Sequence, residues 1–124
     1  LDLSLGVLER ALAHLDNCYY CPVVQYRGRI CRTHLPSNTA FRGFGGPQGM
    51  FIMETIMDQG AAVLGLDPTH LRELNLYRPN HQTPFKMQIS PTGEDPLRTL
   101  WARMHPEYQA ELTKVKAFNR QHST

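Results

Sequence analysis

Leu5, Leu8, Leu12 and Leu15 recur at helical spacing near the start of the chain, with Ser4 placed to cap them. They predict a first helix near 4–16. Arg10 and His14 stand four apart and off that leucine stripe, so they share a second face. From Gln48 to Leu64, the residues Ile52, Met53, Ile56, Met57, Val63 and Leu64 predict one apolar helical face, closed by Gly65 as C-terminal cap. Asp67-Pro68 reads as an N-cap followed by a proline in the first turn, opening a short helix to about Tyr77. Two further helices are expected at Leu97–Met104 and Pro106–Asn119, the second turning Tyr108, Leu112, Val115 and Phe118 inward. Trp101 and the Met50, Met53 and Met57 group stand at helix spacing and read as core packing.

The pattern changes between Tyr19 and Thr33. Val23, Val24, Tyr26 and Ile30 surround Arg27-Gly28-Arg29, which fits a pair of short strands or an extended excursion. Leu35-Pro36-Ser37-Asn38-Thr39 reads as a loop, and so does Asn80–Pro96, with one extended stretch at Lys86–Ile89. The fold class expected is α+β, mostly helical, with a few short strands.

A chain of 124 residues makes one domain, or a piece of a larger one. Its leucine at position 1 and its polar end, Gln121-His122-Ser123-Thr124, fit a segment of a longer polypeptide. With 41% hydrophobic and 19% charged residues it has an ordinary globular composition, without an apolar run able to span a bilayer and without a recognisable signal or transit segment. A net charge of +2 makes no case for nucleic acid or an anionic membrane. Three cysteines, Cys18, Cys21 and Cys31, disfavour a closed disulfide framework and fit a reducing, cytoplasmic compartment.

Ala40-Phe41-Arg42-Gly43-Phe44-Gly45-Gly46-Pro47-Gln48-Gly49 concentrates the chemistry. Glycines let backbone amides approach a ligand closely, and Pro47 suits the first turn of a helix whose N-terminus attracts anions. Three readings stand side by side: a glycine turn capping the next helix with Phe41 and Phe44 in the core, an RNA-binding strand, and a cofactor loop. The RNA-binding strand fails where Gly46-Pro47 interrupts it, and the glycine spacing is not that of a dinucleotide fingerprint. Cys18-x2-Cys21 and Cys31-x2-His34 admit a small zinc ribbon, set against three free, part-buried cysteines and a loop histidine. Ser-His-Asp order, paired carboxylates and a phosphate-binding G-x-x-x-x-G-K-[ST] run are not found.

Taken together, Leu8-Glu9-Arg10-Ala11-Leu12, His14-x-Asp16-Asn17 and the run from Pro36 through Phe41-Arg42-Gly43-Phe44-Gly45-Gly46-Pro47-Gln48-Gly49-Met50 strongly resemble the molybdopterin-binding part of the xanthine dehydrogenase family. The resemblance continues through Leu66 to Asn75-Leu76-Tyr77 and the Gln82-Thr83-Pro84 turn, and weakens after about residue 90. It implies that residues 1–124 are a partial molybdopterin-binding domain of a molybdenum hydroxylase, a family that hydroxylates an electron-poor carbon of a purine or aldehyde with oxygen from water. It further implies electrons leaving through iron–sulfur clusters and FAD to NAD or oxygen, in an assembly that is a homodimer or heteromer. Arg42 would lie against the molybdenum cofactor, Phe44 would stack on the flat substrate, and Arg10 would hydrogen-bond hypoxanthine or xanthine. Aldehyde oxidases are similar through the glycine loop but typically carry an uncharged residue at the position of Arg10, so Arg10 favours a purine over an aldehyde.

Nothing in the chain matches the segment holding the family's catalytic glutamate. Glu9, Glu54, Glu73, Glu94, Glu107 and Glu111 take no such role, and the three cysteines lack iron–sulfur spacing. The expectation is therefore a piece of an active-site wall, with no catalytic residue and no metal ligand of its own, inactive alone. An aldehyde oxidase-type fragment, a catalytically silent binding or structural module that keeps the loop without cofactor, and a zinc-ribbon RNA-binding module built on Cys18, Cys21, Cys31 and His34 are the alternatives.

Overall fold

Gly46, Gly49, Met53, Met57 and Ala61 follow one another at intervals of three and four, and they are the buried residues of the helix α2, Gly46–Leu64. Around α2 the computed structural model describes residues 3–36 and 39–122. Leu1 and Asp2, Ser37 and Asn38 of the expected 35–39 loop, and Ser123 and Thr124 of the polar end lie outside them. The other helices are α1 (Ser4–Ala13), α3 (Pro68–Asn75) and α4 (Pro96–His122). α2 packs on both α1 and α3. The buried core is Tyr19, Met53, Met57 and Leu76, with Cys18, Cys21, Leu71, Leu97 and Trp101 packed against it.

The mostly helical half of the expected fold class is found, but the short strands are not. Among the described residues there are two isolated bridges, Tyr19 with Leu76 and Gln82 with Gln88, and no named strand. The expected strands at Tyr19–Thr33 lack a partner row. Val23 is 92% exposed, and Gly28 lies against the Leu8 side chain of α1 rather than beside another strand.

α1 is shorter than its leucine pattern predicts. Ser4 is its first residue, and the cap position falls on Leu3, which makes no side-chain cap bond. The chain leaves the helix after Ala13 because Asp16 is drawn into the interior, where its Oδ2 accepts a 2.7 Å bond from the Tyr77 hydroxyl. Asn17 then turns with a left-handed φ of 51°. Burial and the bond to Asp16 hold the Tyr77 hydroxyl protonated far above its ordinary range.

The apolar face expected on α2 divides in two. Met53 and Met57 point inward, while Ile52, Ile56, Val63 and Leu64 are exposed. Met50, expected in the core, is also exposed. On the opposite flank Glu54 ties three elements together. Its Oε1 accepts from the Asn17 amide at 2.8 Å and the Tyr19 hydroxyl at 2.7 Å. Its Oε2 takes a 2.8 Å bond from Arg72 of α3, which also donates to Asp58 at 2.8 Å.

The two C-terminal helices expected from the sequence are one. α4 runs through Pro106, which removes a single backbone donor. Ala102 and Pro106 are both exposed, so water can serve the carbonyl that loses its partner. Of the inward set only Leu112 is half-buried, while Tyr108, Val115 and Phe118 are 42%, 51% and 60% exposed. α4 meets the rest through Leu97 and Trp101 and through a 2.8 Å bond from the Thr69 hydroxyl to the Tyr108 oxygen.

The capping of α3 is as expected. Asp67 Oδ1 accepts from the Thr69 and His70 amides at 2.9 and 3.1 Å, and those bonds, that of His70 first, pull its carboxyl below its ordinary value of 3.8. A lowered folded value means the contribution is present above pH 3.8 and lost as pH falls below it. Asp67→Ala should lower stability by about 1 kcal/mol at neutral pH and by much less in acid, measured by urea titration at both pH values. Gly49→Ala should cost about 1–3 kcal/mol, because a Cβ there meets the Ala11 carbonyl oxygen. Thermal melting reads that loss.

Candidate functional site

The segment between Phe41 and α2 is a tight turn built on three consecutive positive φ angles: 93° at Gly43, 49° at Phe44 and 99° at Gly45. Phe44 N–H donates to the Phe41 carbonyl at 2.8 Å and Gly46 N–H to the Gly43 carbonyl at 2.9 Å. A Cβ at Gly43 would stand 2.6 Å from the Pro47 ring, so the proline stacks where only glycine leaves room. Phe44 holds a left-handed conformation without being glycine, a strain of about 1–3 kcal/mol of the kind found at ligand-contacting turns.

That turn is seated on α1. A Cβ at Gly45 would collide with the Val7 carbonyl, and Gly46 lies against the His14 ring. The Phe44 ring rests on Gly6, whose missing side chain leaves it room: a Cβ there would be 3.2 Å from Phe44 Cε1. Arg10, one turn beyond Gly6, therefore shares the side of α1 on which the Phe44 ring sits. His14 Nδ1 donates to the Arg10 carbonyl at 2.9 Å and closes the end of the helix.

This geometry corrects one expectation. Gly45 and Gly46 are buried, as is Gly49 one turn on, and Gly45 and Gly49 are spent on the contact with α1 instead of lying bare to a ligand. Of the four glycines only Gly43 is exposed. The capping alternative fares no better as written, since Phe41 is 86% exposed and Phe44 is half-buried rather than part of the core. The loop's side chains, not its glycine backbone, face outward. Arg42 and Arg10 are both exposed, and neither makes an ion pair among the described residues.

Beside the junction lies a cavity of about 1180 Å³, between α1 and the irregular segment from Arg29 to Pro36. Gly45 and Gln48, at the start of α2, form part of its wall. Arg29, Arg32 and His34 line it, and among the described residues no carboxylate does. Arg10, Arg42 and Phe44 are not among its lining residues. The structure thus brings Phe44 and Arg10 to one side of α1 and sets the cavity apart from them. Gly6, Arg29 and Arg32 were missed as candidates. The signal for Gly6 was present, a glycine inside a leucine-patterned helix four residues before Arg10.

The zinc-ribbon alternative finds no ligand cluster. Among the described residues no three of His, Cys, Asp and Glu come close enough to hold a metal ion. Cys18 and Cys21 are half-buried beside the core, where burial first of all raises both thiols above their ordinary value and opposes the thiolate that a metal needs. Cys31 is exposed on the wall of the cavity beside α1.

Comparison with known proteins agrees with this setting. The family described as molybdopterin cofactor-binding domain matches residues 1–76, which hold α1, the loop, α2 and α3. The chain is 52% identical to xanthine dehydrogenase/oxidase of Felis catus over 89 residues, 72% of its length. It is 45% identical to xanthine dehydrogenase/oxidase of Gallus gallus over 122 residues and 40% identical to nicotinate hydroxylase of Emericella nidulans over 122 residues, 97% and 98% of its length. It spans only 7% of the first relative and 9% of the other two. With more than half of its residues matched, the chain belongs to the family of molybdopterin cofactor-binding domains.

Proposed function

We propose that residues 1–124 are part of the molybdopterin-binding domain of a xanthine dehydrogenase-type molybdenum hydroxylase that converts hypoxanthine and xanthine. The observation that carries this reading is the family match over residues 1–76, a span that includes Arg10, Arg42 and Phe44. The residues present suit an anionic, pterin-bearing group. Arg42 is an exposed cation without an ion pair among the described residues, and a cavity lined by Arg29 and Arg32, with no carboxylate among its described lining residues, adjoins the start of α2. Bound to the enzyme, the molybdenum cofactor supplies oxygen from water and takes two electrons from the substrate carbon.

The chain's own residues bind and orient. Arg42 offers its guanidinium to the cofactor's anionic groups. Phe44, propped on Gly6, offers its open surface to a flat heterocycle. Arg10 donates to the substrate and stabilises negative charge that grows on the ring as the reaction proceeds. The catalytic base, the iron–sulfur clusters, the FAD and the NAD or oxygen site belong to the rest of the enzyme, a homodimer or heteromer that we place in the cytoplasm. The free cysteines fit that reducing compartment, and no described helix is long and apolar enough to cross a membrane.

A second reading has its own support in the 40% identity to nicotinate hydroxylase, which spans 98% of the chain. An aza-aromatic carboxylate would then take the place of the purine, with Arg10 pairing its carboxylate. Relative kcat/KM for xanthine, nicotinate and an aldehyde, measured on the enzyme that carries this segment, separates the purine, nicotinate and aldehyde oxidase-type readings.

In that enzyme Arg10→Met should depress xanthine turnover far more than aldehyde turnover, and equal losses would refute its role. Phe44→Ala should weaken purine binding by about 1–3 kcal/mol, read from KM and inhibitor constants. In the 124-residue chain, Arg10→Met and Arg42→Ala should each leave stability within about 0.5 kcal/mol, because both side chains are exposed. A marked fall in melting temperature for either would assign it to the fold instead.

A further inference from the structure

The flank of α2 left uncovered by α1 and α3 carries Ile52, Ile56 and Val63, 48%, 51% and 86% exposed, on one helical stripe whose single polar member is Gln59. The only charges on α2 are Glu54 and Asp58, and Arg72 engages both at 2.8 Å. No unpaired charge remains to solvate this helix, and Phe51, 73% exposed, extends its apolar surface. A helix whose uncovered flank exposes large aliphatic side chains and bears no charge is one built for the interior of a larger body. We infer that the Ile52–Ile56–Val63 stripe docks against an apolar, uncharged protein surface supplied by the remainder of the molybdopterin-binding enzyme.

This rests on the chain acting as one segment of such an enzyme. The Gallus gallus relative matches 97% of this chain while more than nine-tenths of its own length lies outside the match, so surface to cover the stripe is at hand. A second copy of the chain is the competing occupant, and a test that follows accessibility decides between them.

Val63→Cys is made in the 124-residue chain and in a chimera in which the chain replaces the matching segment of the Gallus gallus enzyme. Maleimide labelling at residue 63 is followed by peptide mapping, which separates it from Cys31, and sedimentation reports the oligomeric state. The isolated chain should be a monomer that labels fast at residue 63, and the chimera should label about tenfold more slowly or less. Equal rates would overturn the inference, and so would an insoluble chimera. Self-association that protects residue 63 in the isolated chain would assign the stripe to a second copy. A chimera that protects residue 63 but holds no molybdenum would leave the docking surface standing and remove the proposed function.

Discussion

The approach of α2 to α1 with no side chain between them is the contact on which the rest depends. Gly45 and Gly49 face the Val7 and Ala11 carbonyls, so two turns of α1 lie directly on the first turn of α2. Such an approach leaves no room for the side chains that usually set the spacing of two helices. Once it is made, the 41–45 turn has a single course, and Phe44 must lie where Gly6 leaves room. Glu54 then locks the other end of α1's turn, through Asn17 and Tyr19, to α3 through Arg72. The position of Phe44 and Arg10 relative to each other is thus a product of glycine packing and one carboxylate hub.

What could be read in the sequence follows from which interactions are local. Caps and turn residues act over three or four positions, and the Asp67 cap and the Gly65 left-handed terminus are found as expected. The glycine loop was legible as special, but its backbone role was assigned to a ligand when it serves α1. A sequence shows that a Cβ is absent, not which neighbour uses the space. The strands of 19–33 and the break at Pro106 fail for a related reason. Strand formation depends on a partner row elsewhere, and a proline is tolerated where its orphaned carbonyl is wetted.

Hydrophobic periodicity erred in an informative way on α2. The pattern marks Ile52, Ile56, Val63, Met53 and Met57 alike as apolar, and the structure buries only the methionines. Periodicity reports which side chains avoid water, whereas burial reports what is there to cover them. For a segment matched to a small share of its relatives' length, the two readings separate on the side where the covering surface lies in other residues.

The site's charge was hidden for the opposite reason. A net charge of +2 over the whole chain gave no hint of an anion. Between residues 3 and 42, however, Arg10, Arg27, Arg29, Arg32 and Arg42 stand against Glu9 and Asp16 alone, and Asp16 is buried under the Tyr77 hydroxyl. The acidic residues that balance the total lie mostly beyond this stretch, on α2, α3 and α4 and around Asp95. Local potential falls off within about 8–10 Å at physiological salt, and Glu54, which reaches this stretch through Asn17 and Tyr19, is already paired with Arg72. The excess acts where α1, the segment from Arg29 to Pro36 and the glycine turn meet.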